Sequence, residues 1–405
     1  MANTLELGNG KWATGKDTVL AYNDLNNNFK PLPFDFSRAS SATVVNKAGL
    51  IETVGSGEPR IDFLGNTKGA LLLEPSRTNR IQNSEDGSTW ALSNITLSSL
   101  SGGLNKEYYQ ITSLGNTGRF DVVKNDWINL TAGTYTASVF AKKGTCDEII
   151  LTSRATYTFQ DKYSVFNLTN GTVLNSQVNG SIEPYSDGWY KCSITFTNSG
   201  SYTDFASFAF GFNFNSSSTD TLFVASPQSE IGSYATSYIP TSGSAVTRVA
   251  DVCDNGGNEQ VINSTEGVLY AEISALANDG TNRMISLSDG VSTTSNATLY
   301  FTTTTNQIRF VYEISSVLQC SIISTIDVLQ DNKFAIVYKL NRFELWGNGV
   351  KLGEDTSGSV NPSGTFTKLS FLRGASQLPF YGKTKDLRLY NTALTDSELQ
   401  ALTTI

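Results

Sequence analysis

At 405 residues the chain is long enough for about two or three domains. A formal charge of −8 and a charged fraction of only 16% leave neutral polar groups to cover the surface, and they disfavour nucleic acid as a partner, because polyanion binding needs clustered positive charge. There is no histidine, which removes Ser-His-Asp and Cys-His nucleophile systems, the HExxH zinc helix, histidine pH switches and every imidazole metal site.

The opening MANTLELGNGKWATGKD has no basic segment followed by an apolar one, so it does not read as a secretory signal. No apolar run approaches the roughly 20 residues of a membrane-crossing helix, and no membrane insertion is expected. Residues 1–80 hold four of the nine prolines, Pro31, Pro33, Pro59 and Pro75, among short strand-like pieces, and are expected to form an irregular or β-type arm.

Residues 81–250 alternate with the period of half-buried strands. Tyr135, Ala137, Val139 and Ala141 share one face, as do Phe208, Phe210, Phe212 and Phe214, and both stripes are expected in a core. Asn170-Gly171, Asn179-Gly180 and Asp187-Gly188 read as turns, Trp189 as a structural ring at a strand start, and Pro240 with a Ser/Gly run marks the exit.

Residues 251–405 repeat the pattern, with turn signals at Asp279-Gly280, Asp289-Gly290 and Asn348-Gly349. Residues 332–354 read as strand, tight connection, strand and an Asn-Gly hairpin into a third strand. The chain ends on its one clear helix signal: Thr395 as N-cap, Glu398 closing a capping box, and Leu394 with Leu399 as a hydrophobic staple. The expected class is all-β: the arm, then two antiparallel jelly-roll sandwiches over 81–250 and 251–405, then one short helix.

Cys146, Cys192, Cys253 and Cys320 lack the spacing of a zinc knuckle or redox dithiol and read as buried free thiols. A Cys146–Cys192 pairing stays open at this level.

The run from Phe380-Tyr381-Gly382 through Lys385-Asp386-Leu387-Arg388-Leu389-Tyr390 to Ala393-Leu394-Thr395 resembles the close of concanavalin A-like jelly rolls of the laminin G and pentraxin type. INLTAGTYTASVFAKKG, VFNLTNGTVL, the Gly188-Trp189-Tyr190 step and LFVASPQSEIGSYATSYIPT are similar to jelly-roll carbohydrate-binding modules. FDFSRASSATVVNKAGLIETVGSGEPRIDF, GALLLEPSRTNRIQNSED and ATSYIPTSGSAVTRVAD resemble a leader and a later string found in bacteriophage fibre and head- or tail-appendage proteins, with a departure at Ile81-Gln82-Asn83. That resemblance implies a structural head or tail fibre of a tailed-phage virion, assembled in the host cytoplasm and released by lysis. It also implies a homotrimer, docked to other virion proteins through residues 1–80 and adhering to host surface glycans. A secreted or virion-borne depolymerase or a bacterial adhesin is the alternative.

No enzymatic activity is expected, since the Glu-x-Asp-x-x-Glu string of laminarinase-like relatives is absent and Glu266, Glu272 and Asp386 read as solvated charges. No cofactor is expected beyond a structural calcium ion, for which Asp251, Asp254, Asp279 and Asp289, with Asn255, lie in Gly-rich loops. For carbohydrate, the candidates are the rings of Trp127, Tyr157, Phe159, Tyr163 and Tyr202, which could stack on sugar C–H faces beside polar neighbours.

Overall fold

The computed structural model describes all residues except 1–2, 24–27, 116–120, 125–127, 130, 155–162, 199–204, 214–215 and 375–377. Period-two alternation turns into antiparallel pairing almost throughout, and the chain divides into two units. The first contains Met1–Ser41, Val54–Pro75 and Val249–Ile405, and the second Ala42–Thr53 and Ser76–Arg248. The expected boundaries at 80 and 250 are therefore corrected at the first of them, because most of the expected arm is woven into the C-terminal sandwich.

The weaving has a plain cause in the pattern of the N-terminal residues. In strand Leu5–Gly8 the side chains of Leu5 and Leu7 enter the core, and the strand pairs antiparallel with Gly382–Tyr390 in the register Leu5 to Leu389. Strand Asn28–Ser37 buries Phe34 and Phe36 and pairs with Val252–Asp254, and Ala70–Leu73 adds to the far end of Gly382–Tyr390. A free arm would leave these apolar side chains in water, at a loss of roughly 1.5–3 kcal/mol for each large one.

In the first unit one sheet runs in the order Val252–Asp254, Asn28–Ser37, Thr18–Asn23, Leu5–Gly8, Gly382–Tyr390, Glu266–Ala275, Asn332–Lys339, Arg342–Gly347 and Val350–Asp355. The facing sheet is Val317–Thr325, Gln307–Ile314, Asn296–Phe301, Arg283–Ser288 and Lys368–Ser370. The core between them includes Leu269, Ile285, Leu299, Phe310, Ile336 and Leu387. The three strands expected over 332–354 are present, and Asn348 and Gly349 both take the positive φ that a two-residue hairpin turn requires.

The second unit is also a two-sheet sandwich, in which Tyr135, Ala137, Val139 and Ala141 from one sheet meet Phe208, Phe210 and Phe212 from the other. Phe214 lies outside the described residues. Trp189 is buried against Phe140, Ala225 and Tyr238. One expected turn is absent: Asn179-Gly180 opens strand Asn179–Pro184, where Gly180 pairs with Ile194, and the reversal falls two residues earlier. All four cysteines are free, so Cys146 and Cys192 do not pair.

The terminal helix, Asp396–Thr403, forms as its caps direct. Thr395 Oγ1 accepts from Glu398 N, Glu398 returns its carboxylate to Thr395 N at 2.9 Å, and Leu394 and Leu399 are buried on the outer face of the large sheet. Thr395→Ala is expected to cost about 1 kcal/mol in denaturant unfolding, whereas Thr395→Asn should leave the midpoint nearly unchanged.

Candidate functional site

Four of the five aromatic candidates, Trp127, Tyr157, Phe159 and Tyr202, lie outside the described residues. Tyr163 is half-buried on strand Tyr163–Asn167 and packs against Ile150, Val165 and Ala209, with its hydroxyl 3.4 Å from Asn175 Nδ2.

The four aspartates proposed for calcium do not converge, since each is taken up by its own surroundings. Asp251 is not a loop ligand at all: it is fully buried and accepts from Arg38 at 3.0 Å and from Arg60. Asp254 sits opposite Asp35 across a strand pair, and burial followed by the Asp35 charge lifts its carboxyl above the usual range. Asp279 pairs with Arg283 at 2.8 Å, and Asp289 caps its own turn by accepting from Val291 N and Ser292 N at 2.9 and 2.7 Å. Among the described residues no group of three acid or thiol side chains is arranged to hold a metal ion.

The structure builds a different site, on the outer face of the first unit's large sheet. Leu387 and Leu389 turn inward to the core, so Asp386, Arg388 and Tyr390 turn outward, and on the neighbouring strand Leu269, Ala271 and Ile273 leave Tyr270 and Glu272 outward. The register places Glu6, Arg388 and Tyr270 in one cross-strand row, and Gly8, Asp386, Glu272 and Lys333 in the next. The terminal helix lies along one side of these rows, and the turn after Gly8, with Lys68, along the other. The result is a cleft of about 530 Å³ with Tyr270, Glu272, Asp386, Arg388 and Tyr390 among its lining residues. Glu272 and Asp386, expected as solvated charges, are thus cleft residues, and Asp386 is only 3% exposed.

Local contacts set the cleft walls. Gly8 has φ +94°, and a Cβ there would come within 2.4 Å of the Lys385 carbonyl oxygen, so only glycine lets the turn lie flat on strand Gly382–Tyr390. Beyond it Asn9 donates to Glu6 at 3.1 Å, Lys68 Nζ donates to Asn9 Oδ1 at 3.1 Å, and Trp12 Nε1 donates to the Lys68 carbonyl at 2.9 Å. On the helix side, Leu394, Ala401 and Leu402 supply apolar surface.

The charges on the floor are mostly spent on one another. Arg388 grips Asp386 through both carboxylate oxygens, at 3.1 and 2.6 Å, and lies 3.4 Å from Glu6. Burial raises the Asp386 carboxyl above the ordinary aspartate range against the lowering pull of Arg388, and burial likewise raises the Tyr270 phenol. Glu6 is buried too, but hydrogen bonds from Lys11 and Asn9 and the nearby Arg388 and Lys11 charges hold it below the usual range. The Tyr270 hydroxyl and the Glu272 carboxylate take no hydrogen bond or ion pair among the described residues.

The lowered Glu6 carboxyl stabilises the fold above the ordinary glutamate pKa, and that contribution is lost as pH falls through its folded value. Glu6→Gln should therefore be less stable than the wild type at pH 6, with the gap narrowing toward about pH 3 in urea unfolding followed by circular dichroism.

The composition of the cleft was only half visible in the sequence. Period two in Lys385–Tyr390 puts Asp386, Arg388 and Tyr390 on one face, but nothing local tells that the terminal helix lies along one side of that face.

No protein-family model matches the chain, and no curated protein sequence matches it. Among solved structures, the CBM40 module of the Ruminococcus gnavus IT-sialidase aligns at 16% identity and a TM-score of 0.32, over 37% of this chain and 93% of that one. Domains LG4-5 of the mouse laminin α1 chain align at 9% identity and a TM-score of 0.26, over 71% and 89%. Trypanosoma rangeli sialidase in complex with sialic acid aligns at 10% identity and a TM-score of 0.28, over 95% and 65%. At such scores the likeness carries nothing about architecture, ligand or activity.

Proposed function

We propose that the protein is a structural and adhesive subunit of a tailed-phage appendage that binds carbohydrate in the outer-face cleft of its first unit. The observation that carries the carbohydrate part is the pairing, within one cleft of about 530 Å³, of an apolar helix wall with unengaged polar groups on the opposite floor. A pyranose has the same two-sided character: C–H groups on its faces and hydroxyls around its rim.

The virion part is supported by the order of the strings FDFSRASSATVV, GALLLEPSRTN and ATSYIPTSGSAVTRVAD, which resemble appendage proteins. Trimeric assembly is implied by the same resemblance. Attachment through a separate N-terminal arm is not part of the proposal, because residues Leu5–Gly8 and Ala70–Leu73 are sheet strands of the first unit.

One observation favours a second reading, a glycoside hydrolase. Glu272 and Asp386 are register partners on adjacent strands, which puts their Cβ atoms about 5 Å apart and both side chains in the one cleft. Against it, the fork to Arg388 occupies both oxygens of Asp386, and burial keeps the Tyr270 phenol protonated.

Purified protein incubated with host-surface polysaccharide decides between them. Retention of the polysaccharide without new reducing ends is the expected result, and steady release of reducing ends would replace adhesion with hydrolysis. Mass spectrometry of purified virions tests the location, with the polypeptide expected at multiples of three copies per attachment point.

A further inference from the structure

We infer that the outer-face cleft of the first unit selects a neutral hexopyranose and rejects acidic sugars; this rests on the carbohydrate reading above and sharpens it to a ligand class. Three observations carry the inference.

The charged groups that line the cleft balance. Lys68, Lys333 and Arg388 stand against Glu272, Asp386 and Glu398, so there is no net field to draw in a sugar of either sign. The one guanidinium that could fork a sugar carboxylate is already committed along one edge: Asp386 takes Nε and Nη2 of Arg388, and Glu6 stands 3.4 Å from the same Nη2. An acidic sugar would have to displace that ion pair to take this edge.

The groups left unengaged suit hydroxyls. Glu272 is half-buried with a carboxylate that accepts nothing, and its register partner Lys333 spends one N–H on the Thr404 carbonyl at 2.8 Å, leaving two donors. Each sugar hydroxyl both donates and accepts, so a carboxylate beside an ammonium on adjacent strands matches a vicinal diol, with each hydroxyl using both capacities. The Tyr270 hydroxyl is the third group: its residue is 98% buried from solvent, at 2% exposure, yet the hydroxyl has no partner among the described residues and belongs to the cleft lining. A hydroxyl so placed opens on the cleft with its donor and acceptor capacity free for a ligand hydroxyl.

The third observation is the opposite wall. Leu394, Ala401 and Leu402 present aliphatic surface from the helix side, against which the C–H face of a pyranose can lie while its rim meets Glu272, Lys333 and Tyr270. A charged or strongly hydrated group would be set against that wall at a loss.

The test is a calorimetric titration of the full-length protein with lactose, cellobiose and maltotriose as neutral probes, and 3′-sialyllactose and digalacturonate as acidic ones. At least one neutral probe is expected to bind, with Glu272→Gln and Tyr270→Phe each weakening it about tenfold or more while leaving circular-dichroism melts unchanged. If Tyr270→Phe melts early, the half-exposed Glu272 still gives the readout. Stronger binding of the acidic probes, lost in both variants, overturns the neutral class but leaves the carbohydrate reading standing. Neutral binding that both variants retain overturns the placement in this cleft and again leaves that reading. No binding of any probe overturns both.

Discussion

Asp251→Ala is expected to destabilise the protein by about 3–5 kcal/mol, the effect of removing one partner from a buried ion pair. In a unit of this size that lowers the unfolding midpoint by roughly 10 °C, with about 2–4 °C for each kcal/mol. Asp251 accepts from Arg38 Nη1 at 3.0 Å and from Arg60, and its second oxygen also takes the Glu74 backbone N–H at 2.8 Å. Arg60 in turn donates to Glu74 at 2.6 Å, and Arg38 donates to the carbonyls of Ser40, Gly55 and Glu58 at 2.9, 2.7 and 2.9 Å. Burial pulls the Arg60 pKa down, but Asp251 and Glu74 more than reverse it, and arginine side chains stay charged inside proteins. Two cations then face two anions, and removing Asp251 leaves a net buried positive charge. Differential scanning calorimetry of Asp251→Ala and of Asp251→Ala/Arg38→Met measures this. Partial recovery in the double variant is expected, because it removes the orphaned charge as well.

Glu230→Ala should cost the second unit about 3 kcal/mol by a related route. Glu230 is fully buried and accepts from Gln228 Nε2 at 2.8 Å, from Thr236 N at 2.9 Å and from Thr236 Oγ1 at 2.7 Å, with Arg77 Nε 3.7 Å away. Arg248 reaches the same segment, donating to Ser237 Oγ at 2.8 Å. Alanine leaves the Gln228 and Thr236 donors buried with no acceptor, whereas Glu230→Gln keeps one carbonyl and should lose roughly half as much. Urea unfolding of the two variants gives both numbers, and equal losses would mean that the charge itself, rather than the acceptors, is what the site requires.

These two clusters explain strings that the sequence presents without a visible role. Arg38, Arg60, Glu74 and Asp251 fall in FSRASS, EPRIDF, LLLEPSR and TRVAD, while Glu230 and Arg248 fall in PQSEIG and AVTRVAD. Their charged letters look like solvated side chains because a strand or loop pattern carries no information about partners 213 or 191 positions away. The same limit hid the true place of the N-terminal residues. The alternation of Leu5 and Leu7 marks a strand, but only the folded chain shows that its neighbour is Gly382–Tyr390.

Local devices, by contrast, were legible. The Thr395–Glu398 capping box, the Asn348-Gly349 hairpin and the Tyr135–Ala141 stripe all formed as their residues direct, since each depends on neighbours within a few positions or on one face of one strand. The cleft lies between these cases. Period two turned Asp386, Arg388 and Tyr390 to the same side, yet the value of that side depended on a helix laid across it and on a turn that Gly8 allows to lie flat.

Crystals of the full-length protein soaked with lactose test the central claim most directly. The expected result is a pyranose in the outer-face cleft, its hydroxyls within hydrogen-bonding distance of Glu272, Lys333 and Tyr270 and its C–H face against Leu402. A cleft that stays empty at saturating sugar, or a sugar seated elsewhere on the protein, would contradict it.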